Sequence, residues 1–157
     1  MPQHSAGLLP YGWDAAGVRV FLVHPGGPLW ARKDAGAWSL AKGLYEPGAE
    51  DPLDAARREF AEEVGVPAPA GDEIDLGEVR LKSGKRIRAF AVPAPADLAW
   101  VASNTFEMPW PPRSGRVGTF PEVDRGAWFA VEDARVRINA GQAPLLDALE
   151  DAVGQRL

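Results

Sequence analysis

The segment from Asp51 to Val66, DPLDAARREFAEEVGV, constrains this chain most, because it encodes a helix with two faces of opposite demand. Asp51 can serve as N-cap, Pro52 suits the first helical position, and Gly65 with Pro67 beyond it supplies the stop. The helix is therefore expected from about Pro52 to Val64. Leu53, Ala56, Phe60 and Val64 recur at spacings of three and four, giving an apolar stripe that should face a sheet. Glu59, Glu62 and Glu63 share a second stripe, about 100° wide, that flanks the buried one.

Such an acidic stripe is unfavourable twice over. Like charges at these spacings cost roughly 0.2–0.5 kcal/mol per pair, and anions near a helix C-terminus oppose its macrodipole. Arg58 can neutralise one carboxylate, and divalent cations coordinated by oxygen would neutralise the rest. A bare E-x-x-E-E on a helix is usually a solvated face. Here the triplet has Arg58 beside Glu59, ends at Gly65 and follows a glycine-bearing loop that carries Glu50.

The chain has no cysteine and only two histidines, so thiolate zinc sites, cysteine nucleophiles and clusters of imidazole ligands are excluded. Oxygen ligands favour magnesium, manganese or calcium. Calcium fits poorly, because the carboxylates lie on a helix rather than in a loop of alternating oxygens. A formal charge of −5 argues against a protein that coats nucleic acid, but leaves a small phosphorylated ligand open. Positive charge is concentrated locally at Lys82, Lys85, Arg86 and Arg88.

With 157 residues, 46% of them hydrophobic, the chain can bury the core of a single domain, expected over residues 1–157. No apolar run reaches the roughly 18–20 residues of a membrane span, and Met1 to Ser5 lacks the basic and apolar parts of a secretory signal. A soluble, cytoplasmic protein without a membrane partner is expected. Ala6 to Tyr11 and Val18 to Val23 read as a hairpin, His24 to Pro28 as a loop, and Ala37 to Leu40 as a short strand. Beyond the helix, Ile74 to Arg80 and Arg86 to Val92 read as strands joined at Ser83-Gly84. Pro93 to Pro121 is expected to be an ordered loop with one strand near Asn104 to Met108. Ala127 to Phe129 fits a last strand, and Ile138 to Leu149 a closing helix whose start Gly141 and Pro144 delay. The order suggests a mixed sheet between helices, an α/β class.

From Gly43 to Val66 the sequence resembles the Nudix hydrolases, whose signature is G-x5-E-x7-R-E-U-x-E-E-x-G-U with U an apolar residue. Gly43, Glu50, Arg58, Glu59, Phe60, Glu62, Glu63, Gly65 and Val66 supply each residue type. One spacing departs from the pattern: six residues separate Gly43 from Glu50, with Ala49 as the inserted one, while the register from Glu50 to Val66 is intact. The resemblance implies an α/β/α sandwich and hydrolysis of a phosphoanhydride bond in a nucleoside diphosphate derivative. Nucleoside triphosphates and dinucleoside polyphosphates are the favoured substrates.

The same resemblance implies site residues. Glu59 and Glu63, with Glu62 nearby, would bind magnesium, or manganese, and the Gly43 carbonyl would join them. Arg58 would orient Glu59, with Glu50 acting from behind. The general base stays open between Glu59 and Glu62. Glu122 is a candidate for a further acidic metal ligand, and Glu107, in SNTFEMPW, is its rival at a substrate pocket. Lys42, in WSLAKG, resembles the lysine of W-x-L-P-K-G in hydrolases of dinucleoside polyphosphates, with Ala41 in place of the proline, and would reach a phosphate. Arg32, Lys33, Lys82 and Arg88 are weaker phosphate candidates, because a basic hairpin edge also protects against strand pairing. One of Trp30, Trp38, Trp110 and Trp128 would stack on a base, each being an ordinary packing residue otherwise, and His24 is given no role. A non-catalytic nucleotide-binding module is the alternative from another class. Monomer and homodimer are both compatible with the sequence.

Overall fold

In the computed structural model, which describes residues 3–154, the long first strand β1 (His4–Asp14) organises the rest. One of its edges pairs in parallel with β5 (Arg86–Pro93), from His4↔Arg86 to Tyr11↔Pro93. Its other edge is divided between two antiparallel partners. Ser5 to Leu8 pair with β3 (Ala41–Leu44), and Tyr11 to Asp14 pair with β2 (Gly17–Pro25). The sheet continues outward through β4 (Ile74–Arg80) on β5 and through β8 (Val123–Ala130) on β2, giving the order β4-β5-β1-β2-β8 with β3 alongside β1. A separate hairpin joins β6 (Thr105–Pro109) to β7 (Val117–Pro121).

Both faces of this sheet are covered, which is why β1 and β2 read as nearly continuous apolar runs. Successive residues serve opposite sides. Ala6, Leu8, Phe21, Val23, Phe90 and Val92 pack with Ala55, Ala56, Phe60 and Val64 of α1 (Pro52–Val64). Leu9, Tyr11, Val20, Leu22, Ile87 and Ala89 pack with Val131 and Ala134 of α2 (Val131–Arg137) and with Leu145, Leu146 and Leu149 of α3 (Ala143–Gly154). The architecture is an α/β/α sandwich with a mixed sheet.

Helix α1 starts and stops where its sequence dictates. The Asp51 carboxylate accepts the N–H groups of Leu53 and Asp54, each at 3.1 Å, and Gly65 closes the helix in the left-handed conformation at φ 84°. All four orphan carbonyls at its C-terminal end are satisfied. Ala61 accepts from Gly65 N–H (3.0 Å), Glu62 from Asn104 N–H (3.0 Å), Glu63 from the Trp100 indole (2.9 Å), and Val64 from Val101 and Ala102 (2.8 and 3.2 Å). Three of the four are thus taken by one segment, residues 100–104, which is latched across the end of α1.

The structure departs from the sequence expectations in several places, beginning with His24 and Pro25, which extend β2 rather than opening a loop. The strand expected at Ala37 to Leu40 lies instead at Ala41–Leu44, with Trp38 and Ser39 making only isolated bridges to Ile138 and Val23. The loop expected over Pro93 to Pro121 contains the second strand β7, whose Gly118 and flanking Pro121 conceal its strand character. The last strand is the eight-residue β8 rather than Ala127 to Phe129 alone. Between it and the closing helix lies the seven-residue α2, which has no side-chain N-cap to announce it. The closing helix begins at Ala143, after a 3₁₀ turn over Ala140–Gln142 in which the Asn139 side chain accepts the Gly141 N–H at 3.0 Å.

The latch yields a direct test. A Cβ added at Gly65 would lie 2.6 Å from the Ala102 carbonyl oxygen, on a backbone that L side chains rarely adopt. Gly65→Ala is expected to lower stability by roughly 1–3 kcal/mol, read as a fall in the urea midpoint; an unchanged midpoint would show that residues 100–104 are free to give way.

Candidate active site

Helix α1 brings Glu59, Glu62 and Glu63 to the wall of a cleft of about 400 Å³, whose lining also includes Lys42, Gly43, Lys85, Asn104 and Glu122. Glu59 is 9% exposed and lies directly against β3. A Cβ at Gly43 would stand 1.9 Å from the Glu59 Oε2, so only glycine lets this backbone reach the carboxylate. The longer loop before the helix leaves that approach in place: Ala49 and Glu50 both donate to the Glu46 carbonyl at 3.1 Å, and the tight turn so formed takes up the inserted residue.

Arg58 ties the loop to the helix. Its Nε and Nη2 donate to the two oxygens of Glu50, each at 2.9 Å, and its Nη1 donates to Glu59 Oε1 at 2.8 Å. The Glu62 carboxylate is 3.5 Å from the same Nη1. This fork fixes Glu59 with one oxygen toward the guanidinium. The hydrogen bond from Arg58 holds the Glu50 carboxyl below the ordinary range.

Compensation is incomplete deeper in. Burial raises Glu59 against the opposing Arg58, and the charges of Glu62 and Glu122 push in the same direction as burial. Glu63 is more affected. Its Oε1 accepts the Lys42 N–H at 3.1 Å and Lys42 favours its charge, yet burial pushes the carboxyl up to about 8, with Glu122 and Glu59 adding to the rise. Carboxylates so destabilised suit a hard divalent cation, because all the donors facing the cleft are oxygens. Among the described residues, no three acidic or imidazole side chains stand as a ready ligand set. The oxygen donors fit a hard divalent cation.

The opposite wall is set by the latch. Glu122 donates its N–H to the Asn104 carbonyl (2.8 Å), and its own carbonyl accepts from Gly26 (2.9 Å). The Asn104 N–H in turn donates to the Glu62 carbonyl, so a chain of backbone bonds runs from α1 to Glu122, with the Ser103 hydroxyl bonded to the Val123 backbone beside it. Two adjoining hollows share Glu122. One, also about 400 Å³, is lined by Trp30, Ser39, Leu40, Leu81 and Gln142 together with Lys42, Glu63 and Lys85. The other, about 230 Å³, is apolar, with Leu29, Trp30, Phe106 and Met108 around Gly26 and Gly27.

Of the residues singled out in the sequence, Lys42, Gly43, Glu59, Glu62, Glu63 and Glu122 come together at the cleft, with Glu50 and Arg58 joined to it from behind. Five do not. Arg88 is ion-paired with Asp75 and lies over Phe90, Lys82 sits in the turn after β4, and Arg32 and Lys33 are in the exposed loop after Trp30. Glu107 is exposed on β6, where the alternation sends Phe106 and Met108 to the apolar hollow and Glu107 away from it. Lys85 and Asn104 were not selected from the sequence. Nothing in the local sequence separates Lys85 from Lys82, Arg86 and Arg88: it stands in the turn before β5 and lines both the cleft and the hollow beside it.

A family model for the Nudix domain matches residues 13–149. A crystal structure of a C. elegans Ap4A hydrolase binary complex is 21% identical, with a TM-score of 0.61 over 96% of this chain and 98% of that one. The NUDIX domain of Shewanella oneidensis NrtR, cocrystallised with ADP ribose, is 13% identical, with a TM-score of 0.62 over 98% and 89%. The solution structure of the E. coli ORF135 protein is 22% identical, with a TM-score of 0.57 over 98% and 92%. None of the curated proteins compared with the chain matches it. The solved structures share the fold, and the family model spans most of the chain with the carboxylate helix inside it: the chain belongs to the Nudix family.

Proposed function

We propose that this Nudix hydrolase uses a divalent metal to cut a phosphoanhydride bond in a nucleoside diphosphate derivative, with nucleoside triphosphates and dinucleoside polyphosphates as the favoured class. One observation carries the reading. The carboxylate cleft faces two lysines, Lys42 and Lys85, and opens past Glu122 onto an apolar hollow with Trp30 and Phe106. Acidic ligands for a cation, ammonium groups for phosphate oxygens and an aromatic slot for a base thus lie in sequence.

The reaction adds water to phosphorus and breaks the bond to the bridging oxygen. Glu59, Glu63 and the Gly43 carbonyl would hold the cation, with Glu122 on the facing wall. When bound, magnesium or manganese supplies Lewis-acid neutralisation of charge on the phosphates. Lys42 and Lys85 meet the same phosphates from the other side, and Arg58 keeps Glu59 in one orientation. The proton of the attacking water goes to Glu59 or Glu62; Glu62, with 37% of its side chain exposed against 12% for Glu59, is the more accessible of the two. Among the described residues no helix is long and apolar enough to cross a membrane. We place the activity in the cytoplasm as a separate expectation, in one domain acting as a monomer or homodimer.

The first test is release of nucleotide and phosphate from a panel of nucleoside triphosphates, diadenosine polyphosphates and nucleotide sugars, with magnesium and then with chelator. Cleavage of a triphosphate or a dinucleoside polyphosphate that chelator abolishes is expected, and Glu63→Gln should reduce it at least about a hundredfold. Nucleotide binding without turnover across the panel would support the non-catalytic module instead.

A second expectation concerns pH. The folded, metal-free protein retains the Glu63 proton up to about 8, whereas the unfolded chain releases it near 4.5. Folded protein then binds more protons than unfolded, so stability should fall as pH rises through that window. Thermal melts with chelator should show the decline, Glu63→Gln should flatten it, and magnesium should stabilise more at pH 8 than at pH 6. A third concerns the base: Trp30→Ala should raise KM roughly tenfold or more, on the order of the 1–3 kcal/mol that a stacked base contributes, and leave kcat nearly unchanged.

A further inference from the structure

Among the described residues the buried polar side chains are Ser5, His24, Glu59 and Gln142. Three of them have partners in the protein. His24 lies within hydrogen-bonding distance of the Lys33 carbonyl and of Asp124, Glu59 accepts from Arg58, and Gln142 bonds with Ser39 and with the Leu40 N–H. Ser5, only 6% exposed, makes no side-chain hydrogen bond to any described residue. A buried hydroxyl without a partner is uncommon and costs free energy, so the group calls for an acceptor that comes from outside the fold.

Ser5 lines the carboxylate cleft, and its place on β1 decides which side of the cleft it serves. Side chains alternate along a strand, and antiparallel residues in register share a face. Gly43 is in register with Ala6, which packs with α1, and it is on that side that the backbone meets Glu59. Ser5 is in register with Leu44, and Gly7 with Lys42, so Ser5 and Lys42 project from the opposite face. Leu9 and Tyr11 continue that face into the core with α3, and Ile87, beside Ser5 on β5, is only 1% exposed. An apolar residue would complete this row. A hydroxyl stands there instead, on the side of Lys42 rather than that of Glu59.

The linings of the adjoining spaces put these groups in order. Lys42, Glu63, Lys85 and Glu122 border both the cleft and the hollow that contains Trp30, whereas Ser5 borders the cleft alone. Starting from Trp30, the lysines come first and Ser5 after them. A serine hydroxyl has one proton to donate, and on the ammonium side of the cleft the acceptor that suits it is a phosphoryl oxygen. We propose that Ser5 is a specificity-determining residue whose hydroxyl donates to the phosphoryl group farthest from the base, so that the cleft favours triphosphates and longer chains over diphosphates. A diphosphate meets the two lysines; a further phosphoryl group reaches past them to Ser5. The inference rests on the phosphoanhydride reading above and adds to it the chain length that the cleft selects.

Ser5→Ala removes the hydroxyl and nothing else, and two measurements on it test the proposal. Without any ligand, its urea midpoint should be unchanged or higher, because the fold makes no use of the group. A lower midpoint would show that the hydroxyl serves the fold and would overturn the proposal. Binding is then measured by calorimetry with magnesium present, using two probes that cannot be hydrolysed: a nucleoside triphosphate analogue with methylene groups in place of its bridging oxygens, and the matching diphosphate analogue. Ser5→Ala should weaken binding of the triphosphate analogue about tenfold, equivalent to about 1.4 kcal/mol, and of the diphosphate analogue less than about twofold. Unchanged affinity for the triphosphate analogue would overturn the proposal while leaving the hydrolase reading intact. An equal loss on both probes would place the contact nearer the base and remove the chain-length role. Failure of the wild type to bind either probe would count against the nucleotide reading itself and take this proposal with it.

Discussion

Carboxylates gathered at the C-terminal half of one helix repel each other and oppose the helix dipole, and the neighbouring structure is arranged around that conflict. Arg58 divides its guanidinium between Glu50 and Glu59, and the Lys42 N–H reaches Glu63. The carbonyls that form the negative end of α1 are each given a donor, three of them from residues 100–104. Those backbone bonds reduce the exposed negative end, and they also fix the segment that leads to Glu122. One set of hydrogen bonds thus stabilises the end of the helix and sets the facing wall of the cleft.

The cleft itself comes from the sheet. β1 gives one edge first to β3 and then to β2, and the Val23↔Ser39 bridge joins the two partners. Lys42 sits on β3 at this fork, so the fork delivers an ammonium and the Gly43 backbone to the α1 carboxylates together. Gly43 shows how tight the junction is, because any side chain there would occupy the position of the Glu59 carboxylate. On the far side of the fork, Ser39 and Gln142 hydrogen-bond to each other at 2.9 Å, and Gln142 accepts the Leu40 N–H at 3.2 Å. The second face of the sandwich thereby holds the strand that carries Lys42.

What the sequence revealed follows from the range of the interactions involved. Helix α1, its Asp51 cap and its Gly65 stop are local, and each is legible within a few residues. Glu59, Glu62, Glu63 and Arg58 inherit their placement from that helix, so they were legible too. Residues brought in from elsewhere were harder. Lys82 and Arg88 stood out by charge, but Arg88 is engaged by Asp75, and Lys85 is the one that lines the cleft. Alternation along β6 turns Glu107 away from the apolar hollow, whereas Glu122 lines the cleft. The partners of the buried His24 were not legible, because Lys33 and Asp124 lie in a loop and a distant strand, and their convergence exists only once β2 and β8 are paired. The strand β7 and the short helix α2 lack the periodicity and caps that would identify them, and they form through neighbours rather than propensity.

The physical character of the cleft also discriminates between catalysis and binding. A module that only held a nucleotide would need the lysines and the aromatic hollow, both of which favour a polyanion with a base attached. It would gain nothing from a buried Glu63 raised to about 8 by its surroundings, since a carboxylate beside phosphates weakens their binding unless a cation intervenes. The Arg58 fork, the Gly43 approach and the latch at Glu122 all act to keep acidic groups close together at a cost in repulsion. That cost is offset only when positive charge enters between the carboxylates and the phosphates. The acidic cluster is therefore intelligible as the ligand side of a metal-assisted hydrolase, and the lysines and aromatic hollow as the side that selects what is hydrolysed.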